Sequence, residues 1–340
     1  MSPSVSRTLR AGLTVFVLAM LVLFATKVNW RDTWGAMRGA SLPLLLFAAV
    51  LNIASGVAKG IRWWVFLRPI GVTSLSLALR ATFAGAGLNN VLIANGGEAA
   101  RVIFVARSAH VDSARVVATL ALERLFDLVG YVVLLTLAAL FLELPPSLDR
   151  LRPYAIAAPL LVGVLLGWLL RRPDIVEAVT VPGSASWGDR LRVHSSRFAH
   201  TIGAVSNLPR FIAALLLSVC AWALQVATYQ MTASAAHFPI STGVTVAALL
   251  AVNLGFVLRV TPGNVGLFQA AYAATAVAFG LDRGQAVAVA FLIQAQQIIP
   301  VTVLGVCLAP EFILKAKKRR DGAPSALPVD SKGTGERRRQ

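Results

Sequence analysis

The feature that most narrows the fold is a series of long apolar runs with little or no charge. Leu128 to Leu142 holds no charged residue, and further apolar runs cover Leu9–Thr26, Ser41–Ala58, Pro153–Leu170, Phe211–Ala236, Thr242–Leu258, Leu267–Phe279 and Gln285–Leu314. About 20 apolar residues in a helix match the ~30 Å hydrocarbon core of a bilayer. Backbone polar groups in that core must be bonded internally, which leaves helices or a closed barrel. A barrel alternates apolar and polar residues, whereas these runs are continuous. The expected fold is all-α, a polytopic membrane helical bundle of about eight transmembrane helices. Composition agrees, since charged residues are 14% of the chain, against about 25% in soluble domains.

Two stretches do not read as plain spanning helices. Leu75–Asn95 is apolar but contains Arg80, Gly85, Gly87, Asn89, Asn90 and Asn95, and it runs into Gly96-Gly97. Irregular backbone at membrane depth persists only inside protein or beside a wet cavity. The segment therefore reads as broken or re-entrant, followed by a helix from near Glu98. Arg259–Gln269, with the sequence RVTPGNVGLFQ, is a second Pro/Gly break in apolar sequence. Interrupted segments at matching places in two halves point to a transporter's binding site. Their separation of roughly 165 residues suits an internal, inverted repeat, although identity between the halves is faint.

The formal net charge is +17. Basic residues gather near positions 7–10, 59–68, 101–115, 171–210 and 315–320. This pattern fits cytoplasmic loops facing anionic lipid, with both termini in the cytoplasm, and it leaves no soluble fold to bind nucleic acid. Residues 1–314 read as the membrane domain and 315–340 as a basic, disordered tail. Ser186–Val205 suits an interfacial amphipathic helix. Lys59, Arg62, Trp63, Trp64 and Arg68 form a basic and aromatic belt at headgroup level, in which Arg62 is also a candidate phosphate ligand. Cys220 and Cys307 lie in apolar segments as small hydrophobes. His110, His194, His200 and His237 are scattered, without metal-ligand spacing. No metal site and no cofactor is expected.

Glu123 and Asp127 lie on one face of an apolar helix, four residues apart, where like charges repel. A carboxylate at the bilayer centre costs about 2.5–3.5 kcal/mol on insertion scales, so cations must stand nearby. Arg124, Arg101 and Arg107 are the candidates, and with Glu98 the acids and bases balance. Such a cluster either locks the bundle as an ion-pair network or opens a polar cavity for an anionic headgroup. Asn89, Asn90, Gly96 and Gly97 precede it. Paired glycines permit close backbone approach, and a helix N-terminus offers N–H groups to a phosphate, with Glu98 capping them when empty. Pro262, Gly263, Asn264 and Gly266 repeat this arrangement, with Arg259 a nearby cation and Gln269 a neutral hydrogen-bonding group. Gln294 and Gln297, three apart with Pro300 behind them, would line the same cavity or bond between helices. These residues form the expected substrate-binding set. With no nucleophile, metal-ligand set or nucleotide loop visible, none is assigned a catalytic role.

Three of these segments carry a resemblance. Asn89-Asn90-x-x-Ile93-x-x-Gly96-Gly97-Glu98-x-x-Arg101, Leu122-Glu123-Arg124-x-x-Asp127 and Thr261-Pro262-Gly263-Asn264-x-Gly266 resemble the signatures of the flippase-like family named for the transmembrane region of lysylphosphatidylglycerol synthases. The likeness covers roughly residues 5–315. It implies a polytopic inner-membrane protein that moves an anionic or isoprenoid-type lipid between leaflets. The chain departs from the family pattern at Ala94/Asn95, where proline is common, and at Gln269, where an acid is common. No soluble aminoacyl-transferase domain follows the last helix, so the resemblance does not imply synthase activity. Two other functions stay open, a membrane-embedded lipid transferase and a non-catalytic scaffold. The expected partners are lipids with anionic or polar headgroups, with a lipid-pathway enzyme and a second copy of the chain also open.

Overall fold

Each half of the chain builds the same four-helix theme. In the computed structural model, residue 26 and residues 30–91, 96–141, 149–150, 152–170, 208–238, 240–255 and 264–308 are described. The expected first span at Leu9–Thr26, the amphipathic segment at Ser186–Val205 and the basic tail at 315–340 lie outside these residues. The described helices are α1 (Trp30–Arg38), α2 (Leu42–Leu67), α3 (Leu75–Val91), α4 (Gly96–Ala109), α5 (Ser113–Phe141), α6 (Arg152–Leu170), α7 (Leu208–Ala235), α8 (Thr242–Gly255), α9 (Leu267–Ala278) and α10 (Arg283–Leu308), with no strand among the described residues. Four stretches, Leu42–Ile70, Ser113–Phe141, Pro209–Ala235 and Arg283–Gly305, are long and apolar enough to cross a membrane, and three shorter apolar helices accompany them. The protein is an all-α, multi-pass membrane bundle.

In the first half a long helix, two short ones and a long one follow in the order α2, α3, α4 and α5, of 26, 17, 14 and 29 residues. The second half repeats the order as α7, α8, α9 and α10, of 28, 14, 12 and 26 residues. The corners repeat as well. After α2, Gly71 turns left-handed at φ 98° and the Val72 N–H donates back to the Leu67 carbonyl. After α7, His237 does so at φ 55° and the Phe238 N–H donates to Ala233. The α4–α5 corner uses His110 and the Val111 N–H, and the α9–α10 corner uses Gly280 and the Leu281 N–H. All four corners have the six-to-one bond of a helix ending in a left-handed residue. An aspartate then caps each following long helix, with Asp112 accepting the Ala114 N–H and Asp282 accepting the Gln285 N–H.

Helix α2 and its counterpart α7 run antiparallel along each other. The Ser41 N–H, before α2, donates to the carbonyl of Ala235 at the end of α7, while Arg62 near the end of α2 reaches Ser218 near the start of α7. The repeat is thus inverted, with the α2–α7 pair at its centre. Each half contributes a pair of short helices packed side by side, α3 with α4 and α8 with α9. The outer ends of α3 and α4 share one apolar cluster, in which Val72, Val111 and Ala109 join the end of α2 and the starts of α5 and α7. The outer ends of α8 and α9 share the other, in which Ile240 and Leu281 join Ala236 and Ala286. Leu267–Phe279, expected as a crossing, forms α9 and packs beside α8 as the second short helix of its pair. With 14 and 12 residues, α8 and α9 are each shorter than the ~20 residues a crossing needs.

Outside the repeat, α6 covers α5, where Thr136 donates to the Ala155 carbonyl. Helix α1 lies on α10, with Thr33 donating to Gly284 and Trp30 against Phe291. Pro300 sits inside α10 and brings no N–H for the carbonyl four residues earlier. That carbonyl, of Gln296, accepts the Asn52 side-chain amide at 2.8 Å.

Close packing in the first hairpin depends on Gly97. A Cβ there would collide with the Gly85 carbonyl and fall 2.7 Å from Asn89 Oδ1. Gly97→Ala is expected to push α4 off α3 and to cost roughly 1–3 kcal/mol, read as a lower melting temperature in detergent. Gly163→Ala, at a glycine with open space around it, is the control and should leave the melting temperature unchanged.

Candidate functional site

The start of α4 stands beside α3. The Gly97 N–H, one of the donors left over at a helix N-terminus, is taken by Asn89 Oδ1 at 2.9 Å. Glu98, expected to cap these donors, turns instead to α5 and pairs directly with Arg124. One turn on, Arg101 pairs directly with Glu123, both side chains being less than a tenth exposed. The Arg101 guanidinium also lies over the Trp63 ring, 4.1 Å from its centroid, a cation–π contact. The Trp63 indole N–H donates to Thr119 at 3.0 Å, so α2, α4 and α5 are tied at one level.

Asp127 has two cationic partners. Its Oδ1 lies 2.6 Å from Arg62, and its Oδ2 lies 3.5 Å from Arg124. Arg62 is 1% exposed and also donates to Ser218 on α7 at 2.8 Å. The sequence places Arg62 at headgroup level, whereas the fold buries it at the crossing of α2, α5 and α7. Arg107, expected as a partner for the acids, is exposed at the outer end of α4 and forms no ion pair among the described residues.

Above this network lies a cavity of about 250 Å³. Lys59, Arg101, Arg124, Glu98 and Glu123 give it a charged wall. Asn89, Asn90, Gln225 and Gln297 give it a neutral, hydrogen-bonding wall, with Gly85 and Phe83 between. Lys59 donates to Gln225 Oε1 at 3.3 Å, Asn90 to Thr302 at 3.0 Å, and Gln297 to the Tyr229 hydroxyl at 3.3 Å. Among the described residues no three His, Cys, Asp or Glu side chains form a set that could hold a metal ion.

Residues 10–305 match the family described as the lysylphosphatidylglycerol synthase TM region. The chain belongs to this family. Among curated proteins it is 29% identical over 306 residues to the glycosyltransferase AglD of Haloferax volcanii, covering 79% of this chain and 49% of that one. It is 30% identical over 134 residues to the UPF0104 membrane protein PH1989 of Pyrococcus horikoshii, covering 38% of this chain and 40% of that one. The matched stretches thus span about half, or less, of these relatives' own lengths.

Within this family member, two of the three sequence signatures meet in space and the third stands apart. Asn89, Asn90, Glu98, Arg101, Glu123, Arg124 and Gln297 meet at the cavity, and Asp127 joins them through Arg124. Gly97 serves the close approach of α4 to α3, and neither Gly96 nor Gly97 is in the cavity wall. The second break builds a different structure. Asn264, at φ 58°, donates to the Gly255 carbonyl and so bridges the two arms of its hairpin. Gln269 accepts the Gly266 N–H as a helix cap and donates to Gln294. Gln294 therefore bonds between helices and is absent from the cavity lining. Arg259, Pro262 and Gly263 lie outside the described residues. Asn52 is a residue that sequence reasoning did not name, and Lys59 and Arg62, placed there in a headgroup belt with Arg62 as a candidate phosphate ligand, stand instead at the cavity wall and against Asp127. Their signal is a polar stripe on an apolar helix, Asn52, Ser55, Lys59 and Arg62, at the three-to-four spacing of one helical face.

Arg101→Ala leaves Glu123 buried without its cation. Removal of one partner from a buried pair costs about 3–5 kcal/mol, so a large fall in melting temperature and in yield is expected. Replacing both, as Arg101→Met with Glu123→Leu, should restore most of that loss. Wild-type melting in Arg101→Ala would show that the pair carries no structural weight.

Proposed function

We propose that the protein moves a lipid with an anionic headgroup between leaflets, the headgroup passing through the cavity while the acyl or isoprenoid chain stays in the bilayer. The observation that carries this reading is the charged interior cavity, because polar space inside a membrane bundle marks a substrate route. The inverted pair of re-entrant hairpins supports it, as transporters place substrate where broken helices of two repeats meet. Exposed Leu, Val and Ile side chains on α2, α5, α6 and α7 suit lipid tails alongside.

The bundle end that carries Arg68, Arg107, Arg115 and Arg210 faces the cytoplasm in this proposal, by the bias of basic loops. The membrane is the inner one and both termini are cytoplasmic. A lipid-pathway enzyme is the proposed partner, in keeping with a family name that refers to a synthase and a relative named as a glycosyltransferase. In a transferase reading, Glu123 and Asp127 would serve as acid and base, yet each is already held by a guanidinium, which favours transport.

Purified protein in vesicles with labelled anionic lipid provides the test. Leaflet exchange above that of empty vesicles is expected, slowed about tenfold by Arg62→Gln, equivalent to ~1.4 kcal/mol on the barrier. Exchange no faster than in empty vesicles, across phospholipid and polyprenyl-phosphate probes, overturns the proposal.

A further inference from the structure

We infer that the headgroup is a phosphodiester with one negative charge, joined to an uncharged hydroxylated group, and that Lys59 receives the phosphate. The inference deepens the lipid-carrying reading of the cavity and rests on it.

The charge balance sets the first part. Around the cavity, the four cations Lys59, Arg62, Arg101 and Arg124 face the three carboxylates Glu98, Glu123 and Asp127. Arg101 is committed to Glu123, Arg62 to Asp127, and Arg124 to Glu98 with a second contact to Asp127. Lys59 is the remaining cation. It lies in the cavity wall, and its hydrogen bond among the described residues goes to the neutral Gln225 amide. One uncompensated ammonium in a low-dielectric space asks for one negative charge. A pyrophosphate would bring charge that no second uncommitted cation meets. A cationic headgroup, such as an aminoacyl ester, would find every carboxylate taken and Lys59 repelling it.

The neutral wall sets the second part. Five amides line the cavity, and each uses one end on the protein. Asn89 accepts from Gly97 through its oxygen, and Gln225 accepts from Lys59 through its own, so both keep NH₂ donors. Asn90 and Gln297 donate to Thr302 and Tyr229, so both keep carbonyl acceptors. Asn52 donates to the Gln296 carbonyl and likewise keeps its acceptor. Donors and acceptors side by side suit hydroxyl groups, which do both. Glycerol and sugar headgroups share this chemistry, and about 250 Å³ holds roughly eight waters' worth of volume at ~30 Å³ each, enough for a phosphate with a small polyol.

Native mass spectrometry of the full chain in detergent tests this with five probes. These are phosphatidylglycerol, phosphatidylinositol, phosphatidylethanolamine, lysyl-phosphatidylglycerol and a polyprenyl pyrophosphate. Phosphatidylglycerol or phosphatidylinositol should bind about tenfold tighter than the other three, and which of the two leads separates a glycerol from a sugar-like headgroup. Lys59→Met should remove that preference, weakening the favoured lipid about tenfold or more, while Lys59→Arg stays within about threefold of wild type. Melting curves check that both variants fold. If Lys59→Met does not, the wild-type ranking and Lys59→Arg carry the test. A pyrophosphate or cationic lipid ranking first, or unchanged binding in folded Lys59→Met, overturns the inference. Selective binding without leaflet exchange in vesicles would sink the transport reading and leave the headgroup assignment standing. Exchange that ignores headgroup and Lys59 would do the reverse.

Discussion

A charge withdrawn from water has to be answered inside the protein, and that requirement organises the first half of this bundle. Arg101 with Glu123, and Arg62 with Asp127, are ion pairs between helices rather than along one. The desolvation of each ion costs several kcal/mol unless geometry and further hydrogen bonds are good. Here they are supplied by Trp63 beneath Arg101 and by Ser218 beside Arg62. Guanidinium suits both positions because it is planar, stacks on aromatic rings and forks toward carboxylates. The pairs therefore fix how α2, α4, α5 and α7 sit in rotation and in depth, which apolar packing alone would leave loosely specified.

The two halves share a plan but differ in chemistry. The hairpin of α3 and α4 meets α5 through charged groups. The hairpin of α8 and α9 meets α10 and α7 through amides and phenols, with Gln269 bonded to Gln294 and Tyr229 packed near Tyr272. The second hairpin is thus held by neutral bonds within apolar surroundings, and the cavity belongs to the first hairpin, where it opens between α2, α3 and α10. The two halves share the helix order and the left-handed corners and differ in their polar interiors.

Much of this was legible in the sequence. Long charge-free runs reveal a membrane bundle, because little else satisfies backbone groups in lipid. The Asn/Gly-rich tract before Glu98 signals that α3 and α4 are separate helices, and the acids at 98, 123 and 127 meet Arg101 and Arg124 in one charged network, as their balance suggests. The partner of Asp127 was not legible. Arg62 sits 65 residues away in sequence, in a stretch whose tryptophans look like a headgroup belt, and only the antiparallel crossing of α2 and α7 carries it inward. Gln294 and Gln297 show the opposite limit. Their spacing places them on one face, but nearly a full turn of separation in depth sends one to Gln269 and the other to the cavity. The packing of α9 against α8 also depended on tertiary contact, since 12 apolar residues do not by themselves say which helix they lie beside.

The bond from Asn52 to the Gln296 carbonyl has a mechanical meaning. At Pro300 the ladder of α10 loses a rung, and a neighbour's side chain takes up the vacant acceptor. The rigidity of α10 at that depth is consequently a joint property of two helices. One of them, α2, also bears Lys59 and Arg62, so the splint on the proline joint and the charged groups of the site are mounted on a single beam.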